Sequence, residues 1–134
     1  MIDALRPVVQ RRARRRCEYC GLPESLSPVV PLHVEHIIAR KHGGPTRLSN
    51  LALACYHCNF HKQTDLVGID PLTGTRTPLF NPRRHKWLAH FEWRELFLVG
   101  KTAIARTTIE VLAMNHEQMI ELRSFLREEG GFPW

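Results

Sequence analysis

Long apolar runs, internal repeats and low-complexity segments are all missing from this chain of 134 residues. No hydrophobic stretch approaches the length of a membrane span, so we expect no membrane partner. Residues 1–17 lack the apolar core and the small-residue cleavage site of a secretory signal, which predicts a reducing, cytoplasmic setting. Cysteine is scarce, with 4 residues, and in such a setting these are expected to bind metal rather than form disulfides.

Acidic residues are outnumbered by basic ones. The chain has 19 Lys+Arg against 13 Asp+Glu, a formal charge of +6, which favours a polyanionic partner. The hydrophobic share of 43% supports a modest core, which a bound metal would strengthen. At this length we expect a single domain over residues 1–134.

The cysteines form two pairs, Cys17-x2-Cys20 and Cys55-x2-Cys58. This spacing lets both sulfurs of a pair converge on one ion from a tight turn, and two such turns complete a tetrahedral thiolate site. All four positions would be filled by sulfur, which leaves no place for a reactive water. The pattern therefore predicts a structural zinc ion rather than a catalytic one.

Periodicity outlines the elements around these pairs. Helices are predicted for residues 2–16, around Cys58, 102–114 and 116–129, and strands for 32–38, 51–54 and 91–100. Residues 65–86 are expected to be irregular. Asn115 is expected to cap the last helix, because Gln118 follows three positions later.

Five short sequence motifs follow one another along the chain. They are CEYC at 17–20, EHII at 35–38, GG at 43–44, NLALAC at 50–55 and CNFHK at 58–62. Together they resemble the HNH nucleases, particularly the zinc-stabilised members with a cysteine pair on either side. The resemblance covers about residues 15–66 and implies an α+β fold, a ββα-metal core. An N-terminal helix and a C-terminal extension of strands and helices, about residues 67–134, would flank it.

The resemblance implies roles for four residues. His36 would be the general base, since an imidazole titrates near neutrality and can take a proton from water. Glu35 and Asn59 would supply a carboxylate and an amide oxygen to a divalent ion, a set that suits Mg²⁺ or Mn²⁺. Asn50 would be structural, with its amide bonded across the loop between the strands so that it fixes the direction of His36.

Two assignments stay open. His61 competes with Asn59 as the third motif residue, because the last element reads Asn-Phe-His. On a regular strand His33 and Glu35 face one side and His36 faces the other. His33 is therefore an alternative base unless the strand twists or ends near Glu35.

Basic residues surround the motif. We expect phosphate contacts from Arg11, Arg12, Arg14, Arg15, Arg16, Arg40, Lys41 and Lys62, the alternative being a solvated surface. The predicted function is a metal-dependent endonuclease acting on DNA, most simply double-stranded DNA. A zinc-stabilised nucleic-acid-binding module that does not cut is the alternative, and only the enzyme explains Glu, His and Asn in motif order. No particular oligomeric state is predicted.

Overall fold

The computed structural model describes residues 2–134. Its elements, in chain order, are α1 (Ile2–Arg12), β1 (His33–His36), β2 (Leu51–Ala54), α2 (Tyr56–Lys62), β3 (Val67–Ile69), β4 (Arg76–Pro78), α3 (Trp87–His90), β5 (Phe91–Arg94), β6 (Phe97–Gly100), α4 (Ala103–Val111) and α5 (Glu117–Glu128). Within residues 2–134, none of the helices has both the length and the apolar character needed to cross a membrane.

A hairpin followed by a helix forms the centre of the fold. Strands β1 and β2 pair antiparallel, with His33 opposite Ala54 and His36 opposite Leu51. Every residue of β2 is buried, which explains its continuous apolar sequence. Cys55 caps the N-terminus of α2 by accepting a hydrogen bond from Cys58 N. The predicted α+β class and the ββα order are confirmed.

Helix α1 ends four residues earlier than predicted. Arg14 and Arg15 adopt left-handed backbone angles, with φ of 55° and 52°, so the chain leaves the helical path after Arg12. The Arg12 guanidinium then donates to the carbonyl oxygens of Leu48 and Leu51 at 2.9 and 2.7 Å. These bonds attach the helix end to the start of β2.

The segment predicted to be irregular contains the β3–β4 hairpin, so that prediction is wrong in part. Three-residue strands are too short to show an alternating pattern, and tertiary contacts hold them in place. Asp70, in the connecting turn, accepts two hydrogen bonds from Arg106 of α4 at 3.0 and 2.9 Å. Gly68 lies against α4 so closely that a Cβ would come within 2.5 Å of Val111.

Residues 91–100 form the antiparallel β5–β6 hairpin, and α4 and α5 follow, as predicted. The predicted cap is wrong. His116, not Asn115, caps α5, with its side chain accepting from Gln118 N at 3.1 Å. The Asn115 amide instead bonds to both the N–H and the carbonyl oxygen of Leu98 at 2.9 and 2.8 Å, as a neighbouring strand would.

The C-terminal half packs directly on the ββα core. Two indole N–H groups donate to the first cysteine turn, from Trp87 to Tyr19 O at 2.7 Å and from Trp134 to Cys20 O at 3.1 Å. Buried residues of both halves belong to one hydrophobic cluster. The extension therefore supports the turn that carries the first two cysteines.

Candidate active site and zinc centre

Four cysteine side chains converge in the interior. The sulfur atoms of Cys17, Cys20, Cys55 and Cys58 all lie within 4.8 Å of one another, and all four residues are buried. The sulfurs of Cys20 and Cys55 are 3.7 Å apart. Zn–S bonds of about 2.3 Å in a tetrahedron place sulfurs about 3.8 Å apart. The cluster therefore fits zinc.

Backbone amides support both cysteine turns. Cys20 N donates to Cys17 Sγ at 3.4 Å, and Cys58 N donates to Cys55 Sγ at 3.5 Å. Such bonds stabilise negative charge on a thiolate. One turn precedes β1 and the other joins β2 to α2, so an ion held between them would cross-link the core. With four protein ligands it would have no open position for chemistry.

Asn50 braces the loop between β1 and β2. Its Oδ1 accepts from Ile38 N at 2.9 Å, and its Nδ2 donates to the carbonyl oxygens of Ile38 and Pro45 at 3.0 and 2.9 Å. Gly44 lies inside this arrangement, where a Cβ would come within 1.7 Å of Ile38 O. The hydrogen bonds predicted for Asn50 across the loop are present, and the close approach explains a glycine at 44.

His36 ends β1 beside this braced loop and is half-buried. Its Nε2 lies 2.8 Å from the Thr46 hydroxyl oxygen. Burial lowers the pKa of His36, and the nearby charge of Arg40 lowers it further. The neutral imidazole therefore predominates at pH 7, and a neutral imidazole can accept a proton.

Glu35 is in a different environment. Its side chain is buried, with 7% of the residue exposed. One carboxylate oxygen lies 3.2 Å from the ammonium nitrogen of Lys62, and the other accepts a hydrogen bond from the Tyr19 hydroxyl. Burial raises the pKa of Glu35, while the charge of Lys62 acts in the opposite direction. Both oxygens of this carboxylate are engaged inside the protein.

Glu35 therefore does not fit a catalytic divalent ion in this arrangement. An ion at its carboxylate would meet the Lys62 ammonium, and binding would require Lys62 to leave. The prediction that Lys62 contacts phosphate is wrong. Only 2% of Lys62 is exposed, and its Nζ also donates to Ile37 O at 3.0 Å.

His33 shares a strand face with Glu35. Strand β1 pairs regularly along its length, so His36 points to the opposite face. The His33 ring lies 6.3 Å from the Tyr56 ring, and its Nε2 is buried with no hydrogen-bond partner among residues 2–134. Asn59 is half-buried one helical turn after Tyr56. The structure thus places His36 on the strand face opposite Glu35 and His33.

His61 packs away from β1. Its ring lies 4.3 Å from that of His57 and 6.5 Å from that of His116, between α2 and the start of α5. His57 is in turn held at its Nε2 by Ala113 O at 2.7 Å. These contacts give no support to His61 as an alternative ligand.

The two cysteine turns, the hairpin and α2 all fall within one matched segment. Residues 17–65 match the HNH endonuclease family. We refer to this matched segment, less than half of the 134 residues, as the HNH domain. At the family level the match supports a nuclease-type enzyme. No curated protein and no solved structure matches the chain.

The basic residues predicted to contact phosphate, apart from Lys62, divide into two groups. Arg12 is bonded to backbone carbonyls, and Arg15 pairs with Glu24 at 2.7 Å. The others are exposed, and within residues 2–134 they form no ion pair: Arg11, Arg14, Arg16, Arg40 and Lys41. This second group is free to meet phosphates.

Sequence reasoning missed two side chains of the HNH domain. Tyr19 stands between two cysteines, and an aromatic residue inside a metal-binding turn was the available signal for a buried role. Thr46 lies in the loop after the Gly-Gly turn and carried no signal. Its importance comes only from the fold, which places its hydroxyl against His36.

Proposed function

We propose that the chain is an endonuclease that hydrolyses phosphodiester bonds of DNA, with His36 as general base and with a requirement for Mg²⁺ or Mn²⁺. The observation that carries this proposal is the placement of His36 within an HNH domain. Its imidazole is accessible, Thr46 holds one ring nitrogen, and Asn50 braces the adjoining loop. A base needs this combination of fixed direction and access to solvent.

In the proposed reaction the His36 imidazole takes a proton from water. The resulting hydroxide attacks phosphorus and the bond from phosphorus to the 3′ oxygen breaks. The leaving oxygen takes a proton from a water molecule, and the protonated His36 returns its proton to solvent. The lowered pKa of His36 supports this role, because the ring is unprotonated before the reaction. A divalent ion would offset charge on the leaving oxygen. Glu35 and Asn59 would hold this ion only after the Lys62 ammonium leaves the Glu35 carboxylate.

Double-stranded DNA is the proposed partner. The net charge of +6 suits a polyanion, and Arg40 and Lys41 are exposed in the loop that follows His36 by four and five residues. Positive side chains beside the base would hold a backbone phosphate within its reach.

A second candidate is a binding module that does not cut. The Glu35–Lys62 pair favours it, because this pair occupies the carboxylate that a catalytic ion would use. The zinc centre and the exposed basic residues would serve such a module equally well.

Plasmid cleavage distinguishes the endonuclease from the binding module. Purified protein is incubated with supercoiled plasmid and Mg²⁺ or Mn²⁺, with and without EDTA. Zinc content is measured afterwards, so that loss of the structural ion is not mistaken for loss of catalysis. The endonuclease predicts metal-dependent nicking that His36→Ala abolishes and that His42→Ala, in the loop after β1, retains. Tight DNA binding without nicking in either metal would favour the binding module.

A further inference from the structure

Next to the first cysteine turn lies an open cavity of about 440 Å³. Its walls include all three tryptophans of the chain, Trp87, Trp93 and Trp134, and its rim includes Arg14 and Arg16. The volume falls within the range of small-ligand sites, about 300–1,000 Å³. We call it the tryptophan cavity. The roles proposed above use none of these three side chains.

The aromatic walls are fixed in position. The indole N–H groups of Trp87 and Trp134 donate to the backbone of the cysteine turn. Trp93 contacts both, with ring centroids 6.2 and 6.0 Å away. Arg123 lies over the Trp93 ring, 5.0 Å from its centroid, and Trp87 stacks on Phe91. Because the two hydrogen-bonding N–H groups are also used, these half-buried rings offer a ligand only the aromatic surface that these contacts leave open.

The rim is positively charged. Arg14 and Arg16 are exposed and form no ion pair among residues 2–134. The acidic residue of the cavity, Glu18, is neutralised, because Arg83 pairs with one of its oxygens and Leu53 N donates to the other at 2.9 Å. The cavity therefore combines aromatic surface with uncompensated positive charge.

The chain accepts strain to present this rim. Arg14 and its neighbour Arg15 have φ of 55° and 52°, a region that side-chain-bearing residues rarely occupy twice in succession. The Arg15–Glu24 pair and the Arg16–Pro23 bridge hold the turn in place. Strained backbone that the surroundings maintain is often found at binding sites.

The cavity lies close to the candidate base. Arg12, which lines it, donates to Leu51 O at 2.7 Å, and Leu51 is the residue directly opposite His36 in the hairpin. Residues opposite each other in an antiparallel pair have Cα atoms about 4.5–5.5 Å apart. Arg12 and Leu51 therefore connect the wall of the cavity to the strand position of the candidate base.

We propose that the tryptophan cavity binds an unstacked base of a DNA strand, while Arg14 and Arg16 hold the adjacent phosphates. Resting on the proposed function, this assigns as substrate double-stranded DNA in which one nucleotide leaves the base stack near the cleaved bond. Bases stack on aromatic side chains whatever their identity, so the cavity selects an exposed base rather than a sequence.

The test uses His36→Ala protein, so that cleavage does not interfere, and a fluorescein-labelled twelve-nucleotide thymidine strand. An abasic strand with the same number of phosphates is the matched ligand. Anisotropy is expected to show about 10-fold tighter binding of the thymidine strand, the effect of roughly one stacked base. Tryptophan fluorescence is expected to be quenched by the thymidine strand and not by the abasic strand. Equal affinities and equal fluorescence for the two strands would overturn the proposal.

Variants locate the effect. Trp134→Ala is expected to lose the preference for the thymidine strand, whereas Phe125→Ala, an exposed aromatic on α5 outside the cavity, keeps it. Arg14→Gln is expected to weaken the binding of the thymidine and abasic strands equally and to reduce the salt dependence of binding. Zinc content and near-ultraviolet circular dichroism report folding. If Trp134→Ala misfolds, Trp134→Phe, which keeps a ring, must retain the preference. A folded Trp134→Ala that still distinguishes the strands would contradict the cavity as the site.

The outcomes separate this proposal from the endonuclease. Plasmid nicking together with equal binding of the two strands would remove the base site and leave the enzyme. Base-dependent binding without any nicking would retain the base site on a module that does not cut.

Discussion

The two faces of β1 differ in almost every physical respect. The outer face presents His36, which is half-exposed, has a pKa lowered by burial, and is held by one hydroxyl group. The inner face presents Glu35, buried and bonded to Lys62 and Tyr19. Residues adjacent in sequence therefore occupy environments that suit opposite tasks, catalysis on one face and stabilisation on the other.

This difference predicts that substitutions on the two faces separate activity from stability. A change on the outer face should slow cleavage and leave the free energy of unfolding nearly unchanged. A change on the inner face should lower the free energy of unfolding first.

Breaking the buried ion pair should have the largest effect on stability. Lys62→Met leaves the Glu35 carboxylate buried without its cation and is expected to lower the free energy of unfolding by about 3–5 kcal/mol. Urea denaturation at constant zinc content measures it. The double variant Glu35→Leu/Lys62→Met removes both charges and should recover most of the loss. A loss below about 1 kcal/mol for Lys62→Met would mean that the inner face does not stabilise the fold.

Removing the Asn50 side chain, which braces the loop between β1 and β2, should have the next largest effect on stability. Asn50→Ala deletes three hydrogen bonds to Ile38 and Pro45 and is expected to cost about 1–3 kcal/mol of unfolding free energy. Cleavage should also fall, because the loop that carries Thr46 loses its support. Asn50→Asp keeps the acceptor for Ile38 N but buries a carboxylate oxygen against the carbonyl oxygens of Ile38 and Pro45, so it should destabilise at least as much. Unchanged stability in Asn50→Ala would refute the bracing role.

The pH dependence of the cleavage rate should show whether His36, on the outer face, is the general base. Burial and Arg40 lower the pKa of His36, so the fraction of unprotonated base rises with pH and levels off above that pKa. The cleavage rate is expected to rise with pH and to reach half its plateau below about pH 6.5, the ordinary value for histidine. Arg40→Gln removes one cause of the lowered pKa and should move the midpoint upward. A midpoint well above 7 would be inconsistent with His36 as the base.

Removing the Thr46 hydroxyl should have the smallest effect, a modest loss of cleavage rate. Thr46→Val deletes the contact to His36 Nε2 and keeps the shape of the side chain, so cleavage is expected to slow by about 5-fold, roughly one hydrogen bond. Thr46→Ser retains the hydroxyl and should behave like the parent. If serine and valine gave the same rate, the contact would have no part in orienting the ring.

The local features of this molecule were predictable from sequence, and the partners of its buried polar groups were not. The cysteine turns and the short apolar strands follow from spacing and composition within a few residues. Asn115 carried a sound capping signal, yet its amide completes β6 instead, because Leu98 lies beside it in the fold. Lys62 looked like a phosphate contact for the same reason, since nothing near it in sequence shows that its ammonium meets Glu35.

Cleavage by His36→Ala and His33→Ala, measured side by side on plasmid with Mn²⁺, shows which face of β1 carries the general base. The two variants remove the same ring from opposite faces of one strand, and zinc content confirms that each is folded. The account predicts that His36→Ala slows cleavage by about 10²–10⁴-fold, the usual contribution of a general base, while His33→Ala retains most of the rate. Full cleavage by His36→Ala, with loss in His33→Ala, would place the base on the inner face and contradict the account.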